Sequence, residues 1–366
     1  MKVICTQENL KSGLSIVGKV LSSTNTLPIL NNILMKAEYG VLKISSTNLE
    51  LAISTQIRCK TEEEGGITVV GKTLADLVNN LPNQNATIQT NGADLGIEVG
   101  NYHTSIKTMP AEDFPLIPLV TGGQGLNIEA QDLKTALDQV AFAASNNQTQ
   151  PEISGILFIV SGSELRVVAT DRYRLAEKKI KLVGYTGGDL EVIVPQKTVV
   201  EISRIIGPQK GPVEIMFTAT QAMFSFNNTE VVSRLVDGQY PDYQQIIPTN
   251  FIISAGVEKQ LLSGALKTTS VFSRASNSVS LKFLSSAQQL VLTAESSDLG
   301  KSVVELPCKI DGGDGEVILN HHYLLDCLTG IDSSGVVLKI IDDSSPSLVV
   351  PVDRDDYLYL VMPIKI

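Results

Sequence analysis

Apolar residues recur at intervals of three and four in three well-separated stretches of the chain. Leu10, Leu14, Val17 and Leu21 do so within residues 6–21, and Leu133, Ala136, Leu137, Val140, Ala141 and Ala144 within residues 130–145. Leu261, Leu262, Ala265, Leu266, Thr269 and Phe272 do so within residues 258–272. Each stretch has a polar opposite face, so each predicts an amphipathic helix. Leu10, Leu133 and Leu261 stand 123 and 128 residues apart. A second helical set begins at Gly71, Pro195 and Asn320, at spacings of 124 and 125 residues. Pro195 and Asn320 suit helix starts, and Leu81-Pro82 and Gly207-Pro208 are stop signals.

Shorter elements keep the same beat. Ser46-Thr47-Asn48-Leu49 and Ala169-Thr170-Asp171-Arg172 lie 123 residues apart, and Phe114-Pro115 and Tyr240-Pro241 lie 126 apart. Thr108-Met109-Pro110 returns as Val361-Met362-Pro363, about twice the unit away. Between the helices the chain alternates or runs β-branched, as in Val41-Leu42-Lys43-Ile44-Ser45 and Ile156-Leu157-Phe158-Ile159-Val160. Gly, Asn, Asp and Ser clusters separate these runs, the pattern of hairpins and meanders. The reading is three copies of one α+β unit, each two helices plus mainly antiparallel sheet, with domains at residues 1–122, 123–250 and 251–366.

Composition fits a folded chain of several domains, with 43% hydrophobic and 19% charged residues over 366 positions. The first residues lack the apolar core of a secretory signal, and no run approaches the roughly 18 apolar residues of a membrane span. Cys5, Cys59, Cys308 and Cys327 are far apart and form no C-x-x-C pair. They read as free thiols of a cytoplasmic protein rather than a disulfide framework or zinc site. The formal charge is −10, and each third carries more acidic than basic side chains. A simple basic-patch nucleic-acid binder is thereby excluded.

Catalytic chemistry is hard to place. Gly66-Ile67-Thr68-Val69-Val70-Gly71-Lys72-Thr73 matches the phosphate-loop pattern in letters. Its interior of Ile, Thr, Val and Val favours an extended strand, however, and Glu62, Glu63 and Glu64 upstream would repel phosphates. His321 and His322, adjacent on a helix, point about 100° apart and cannot readily share a metal; a solvated or interfacial place is expected for them. Asp311, Asp314, Asp342 and Asp343 read as turn residues. No catalytic residue, metal site or cofactor is expected.

Several segments resemble one known family. Thr26-Leu27-Pro28-Ile29-Leu30, Val168-Ala169-Thr170-Asp171 with Arg174-Leu175-Ala176, Leu235-Val236-Asp237-Gly238 with Tyr240-Pro241-Asp242-Tyr243, and Val361-Met362-Pro363-Ile364-Lys365-Ile366 are similar to the bacterial sliding clamp, the beta subunit of DNA polymerase III. The resemblance spans the chain in order. It implies a non-catalytic processivity factor: a head-to-tail homodimer whose six domains form a ring around duplex DNA, without sequence preference. The helices would line the inside of that ring and the sheets the outside. By position, Thr104 and Ile106 match one side of the family's dimer contact, and Val271 and Phe272 the other. Lys72, Lys134, Lys197, Arg204, Lys259 and Lys267 are the implied DNA-facing cations, while Thr24 and Asn25 stand where some relatives carry an arginine.

The resemblance further implies a pocket for a short extended peptide, formed by Ile153, Thr170, Arg172, Tyr173, Arg174, Leu175, Pro241, Ile246, Asn320, Tyr323, Met362, Pro363 and Ile364. Implied partners are the catalytic subunit of DNA polymerase III, the clamp loader, and other replication and repair proteins carrying a clamp motif. Arg172, Tyr173 and Gln245 differ from some relatives and would alter motif preference. Two other readings stay open on residues alone: a nucleotide-dependent enzyme using residues 66–73, and a repeat scaffold that binds proteins but not DNA.

Overall fold

The computed structural model describes residues 1–21, 27–147, 149–207, 209–273 and 276–365. Thr24, Asn25, the first residue of the Thr26 motif, Pro208 and the terminal Ile366 lie outside the described residues. The chain divides into two compact units, Met1–Gln131 with Glu201–Leu235, and Asp132–Val200 with Val236–Ile366.

In the first unit the described strands form one antiparallel sheet of thirteen, running from Gln124–Glu129 at one end to Lys60–Glu63 at the other. The helix Gln7–Val17 lies on this sheet and packs against the helix Gly71–Asn80. Leu10, Leu14, Val17, Leu74 and Val78 are buried there, as their spacing predicts. Thr6 caps the first helix, its hydroxyl accepting from the Asn9 amide at 3.2 Å, and Gln7 Nε2 donates to the Val78 carbonyl at 2.6 Å. Regular helix ends at Val17 rather than Leu21, with Gly18 as the C-cap and a 3-10 turn over Gly18–Val20. Glycine's low helix propensity accounts for the early stop.

The second unit holds a nine-stranded sheet and a four-stranded sheet, both antiparallel. Its helices Lys259–Ser270 and His321–Gly330 pack on each other. The first ends two residues short of Phe272: the Thr269 and Ser270 hydroxyls take up last-turn carbonyls of Ala265 and Lys267 at 2.9 and 2.8 Å. The helices Ala130–Val140 and Gln196–Ile206 contain two of the points where the chain passes between units.

One pairing occurs twice. In the first unit, strand Leu51–Arg58 takes Val41–Thr47 on one edge and Thr229–Arg234, about one and a half repeats downstream, on the other. In the second unit, strand Arg174–Lys181 takes Glu164–Thr170 on one edge and Tyr357–Val361 on the other. The corresponding strand of the last repeat, Gly300–Pro307, pairs with Gln289–Ser296 and with no second strand among the described residues. Likewise Tyr102–Met109 pairs with Asp94–Val99, but only Thr108 and Met109 reach Gly65–Val70, so among the described residues the outer edge of residues 102–107 is open.

Candidate functional site

The turn between strands Glu164–Thr170 and Arg174–Lys181 is built by two short side chains. The Arg172 amide donates to Thr170 Oγ1 at 3.1 Å, and the Thr170 hydroxyl donates to the Arg174 carbonyl at 2.7 Å. Asp171 Oδ1 accepts from the amides of Tyr173 and Arg174, each at 3.0 Å. Short polar side chains that bond the backbone two and three residues on are what such a tight reversal needs. Arg172 takes a left-handed φ of 78°, and Tyr173 stands 64% exposed.

Arg174 does something different from its neighbours. Its side chain is only 12% exposed. Nε meets Asp171 Oδ2 at 3.1 Å, Nη1 meets Asp326 Oδ2 at 2.5 Å, and Nη2 donates to the Phe142 carbonyl at 2.8 Å. The guanidinium also lies over the Tyr323 ring, 4.4 Å from its centroid. Burial opposes its charge, but Asp326, Tyr359 and Asp171 more than offset this, so its pKa is raised. A planar head with five donors in a fixed fork suits such a junction better than the compact ammonium of a lysine.

The C-terminal segment closes over this turn. Tyr357–Val361 pairs with Arg174–Lys181, the Met362 amide donates to the Tyr173 carbonyl at 2.8 Å, and the Ile364 amide donates to the Ile318 carbonyl at 2.8 Å. Met362 packs against a buried cluster that includes Leu157, Val168, Leu175, Tyr240, Tyr243 and Leu360. Tyr243 donates to Glu177 Oε2 at 2.5 Å within it, and burial followed by Glu177 raises the tyrosine's pKa.

The thirteen pocket candidates thus sort by exposure. Ile153, Thr170 and Leu175 are buried beneath the surface. Asn320, Tyr323, Met362, Pro363 and Ile364 are half-buried, as is Arg174, and Arg172, Tyr173, Pro241 and Ile246 are exposed. Ile153 rides on the short helix Pro151–Ser154, packed against strand Glu164–Thr170. Asn320 caps the helix His321–Gly330, accepting from the His322 amide at 2.9 Å. The result is an apolar floor with a sparse polar rim, a surface chemistry suited to apolar anchors. Phe142 and Asp326 belong to this arrangement and carry no local signal in the sequence, whereas Tyr240 and Tyr243 lie in the Tyr240-Pro241-Asp242-Tyr243 motif. Asp171 carries such a signal, as the partner of Thr170 in the repeated turn. A concavity of about 660 Å³ in the first unit, lined by Lys36, Ser45, Phe114 and Leu116 among others, contains none of the candidates.

Thr104 and Ile106 sit on strand Tyr102–Met109, within its open-edged portion. Val271, 45% exposed, and Phe272 follow the helix Lys259–Ser270, which packs on the other open-edged strand, Gly300–Pro307. Lys72, Lys197 and Lys267 are exposed on helices. Lys134 pairs with Asp138, Arg204 with Glu201 at 2.8 Å, and the Lys259 ammonium donates to the Ile331 carbonyl at 2.7 Å. These three cations are therefore partly committed within the chain.

Residues 66–70 belong to the strand Gly65–Val70, paired with Asn32–Glu38, rather than to a phosphate loop. A Cβ on Gly71 would stand 2.3 Å from Leu21 Cδ1, so this glycine permits close packing at the helix start. Of the solvated or interfacial places expected for the two histidines, His321 does not take the solvated one. It is buried, with Nδ1 3.1 Å from Ser273 Oγ and 3.0 Å from the Asn277 carbonyl. Both partners come from a segment remote in sequence. Among the described residues no three His, Cys, Asp or Glu side chains are grouped to hold a metal, and no helix is long and apolar enough to cross a membrane.

Three family models match in sequence order: DNA polymerase III beta subunit N-terminal domain at residues 1–118, central domain at 127–242 and C-terminal domain at 244–365. A beta sliding clamp of Synechocystis is 29% identical over the full length of both chains. The structure superposes on the DNA polymerase sliding clamp of Bacillus subtilis with a TM-score of 0.96 at 25% identity, covering 100% of this chain and 99% of that one. It superposes on the DNA polymerase III subunit beta of Pseudomonas aeruginosa with a TM-score of 0.94 at 28% identity, covering both chains fully. Three repeated α+β domains, matched in order along the whole chain, place it in the DNA polymerase III beta subunit family, the beta sliding clamps.

Proposed function

We propose that the protein is a non-catalytic processivity clamp: a head-to-tail homodimer that closes around duplex DNA in the cytoplasm and tethers the replicative polymerase. The observation carrying this reading is the strand pairing that occurs twice within the chain and is left open at each end of the series. An open edge is a template for pairing, and two chains arranged head to tail satisfy both edges at once. Thr104 and Ile106 would then face Val271 and Phe272 of the second copy. Domain boundaries near residues 122 and 250 accord with the same repeat.

Encirclement removes the difficulty of an acidic DNA partner. A ring is retained by topology, so tight phosphate pairing is unnecessary and would impede sliding. Exposed Lys72, Lys197 and Lys267 supply a modest inward potential, while Lys134, Arg204 and Lys259 contribute less because their heads are engaged. Partners dock through the groove of Arg172, Tyr173, Pro241, Ile246, Tyr323 and Met362–Ile364: the polymerase catalytic subunit, the clamp loader, and replication and repair proteins with a short apolar motif. Met362 suits a groove that accepts several sequences.

The test loads the protein onto nicked circular DNA with a clamp loader and then linearises the circle. Retention on circles and loss from linear ends is the expected outcome. Retention on both would contradict encirclement.

A further inference from the structure

Two of the four cysteines face each other across a strand pair. In the ladder between Lys2–Thr6 and Lys60–Glu63, Val3 lies opposite Thr61 and Ile4 opposite Lys60. One further step of that ladder sets Cys5 opposite Cys59. Their side chains share a face: Cys59 Sγ lies 3.5 Å from Thr61 Oγ1, and Thr61 opposes Val3, which is buried on the same side of its strand as Cys5.

The backbone makes this the closer of the two antiparallel pair types. Met1 and Gln7 bond toward strand Asn85–Asn91, through Thr90 N–H to the Met1 carbonyl and Gln7 N–H to the Gln84 carbonyl. With the period of two, the polar groups of Cys5 turn the same way. The Cys59 amide is spent on the Gly40 carbonyl at 3.0 Å. Neither cysteine bonds the other through its backbone, and such pairs bring Cα atoms to about 4.5 Å, inside the disulfide range of roughly 4.4–6.8 Å.

We propose that Cys5 and Cys59 form a reversible disulfide, a redox modification site of the first unit, on exposure to a peroxide-class oxidant. Cys59 is half-buried and meets the oxidant first. Its thiol and hydrogen peroxide give a sulfenic acid and water; the Cys5 thiol then attacks that sulfur, forming the S–S bond and releasing a second water. Two thiols are oxidised and one peroxide is reduced. Burial, with Cys59 adding to it, pushes the Cys5 thiol up to about 12, which keeps it protonated and leaves first contact with the oxidant to Cys59. A thiol-reducing cytoplasm would return the pair to its open state.

The experiment treats the full-length protein with hydrogen peroxide, then denatures, alkylates and maps it. Expected are a loss of two hydrogens, alkylation at Cys308 and Cys327 but not at Cys5 and Cys59, a linked Cys5–Cys59 peptide, and full reversal by dithiothreitol. The bond should raise the melting temperature by on the order of 5 °C. Cys59→Ser, or Cys59→Ala should the serine variant misfold, should leave Cys5 alkylatable and abolish the thermal gain. Four alkylatable thiols after treatment, over-oxidised Cys59 beside a free Cys5, or a bond to Cys308 or Cys327 would overturn the proposal.

Discussion

The turn from Thr47 to Leu51 and the turn from Thr170 to Arg174 are one device used twice. In the first, Leu49 N–H donates to Thr47 Oγ1 at 3.0 Å, and Asn48 Oδ1 accepts from Glu50 and Leu51 amides at 3.0 and 2.8 Å. The second repeats every bond with Asp171 in place of Asn48. Even the left-handed residue recurs, Leu49 with φ 75° and Arg172 with φ 78°. The two copies differ in the side chain at the exit of the turn. Leu51 is a buried apolar side chain, whereas Arg174 is a largely buried cation joined to Asp171, Asp326 and Phe142. Backbone geometry was kept in both copies, and the second alone carries a charged hub and a tail laid against it. The copy that departs from the shared pattern is where partner binding is expected.

Replacing the hub should separate the two turns most sharply. Arg174→Ala leaves Asp326 and Asp171 without their partner and should cost about 3 kcal/mol in urea unfolding, with loss of peptide binding. Leu51→Ala should cost about 2–3 kcal/mol by leaving a cavity, yet leave peptide affinity unchanged. Equal effects on binding would mean the two turns are functionally alike.

Next in size is the contrast between the paired junctions and the open edges. The double substitution Val271→Ala with Phe272→Ala should weaken dimerisation by about a hundredfold in sedimentation while leaving monomer folding intact, as expected of two central interface anchors. The exposed turn residues give a smaller separation. Tyr173→Ala should lower peptide affinity about tenfold, whereas Leu49→Ala, 50% exposed in the matching turn, should change it little. Neither should shift stability by more than about 0.5 kcal/mol.

The smallest effect distinguishes His321 from His322. Burial first, then His322, holds the His321 pKa below its ordinary value. The unfolded chain therefore binds more protons below about pH 6.5, and stability falls as pH drops through that value toward the lowered folded pKa. His321→Asn should flatten that dependence in thermal melts, whereas exposed His322→Asn, which removes only the smaller of the two causes, should flatten it less.

Helix periodicity and the repeated turn were legible because their causes are local. Leu133, Ala136 and Leu137 lie on one face, and Thr170 with Asp171 bonds its own turn, within a few residues. The pairing of Arg174 with Asp326 spans 152 residues, and nothing near Asp326 marks it. The burial of His321 likewise depends on Ser273 and Asn277, more than forty residues away. Pocket candidates were found through family resemblance, but the division into buried floor, half-buried wall and exposed rim needed the packing of Met362 against a cluster drawn from several strands.

Amide hydrogen exchange on the two open edges tests the central claim most directly. If a second copy completes the series, the outward-facing amides of residues 102–107 and 300–306 should exchange as slowly as those of the internally paired Thr229–Arg234 and Tyr357–Val361 in the native protein, and faster in the Val271→Ala, Phe272→Ala variant. Rapid exchange along both edges of the native protein, unchanged by that variant, would contradict head-to-tail closure.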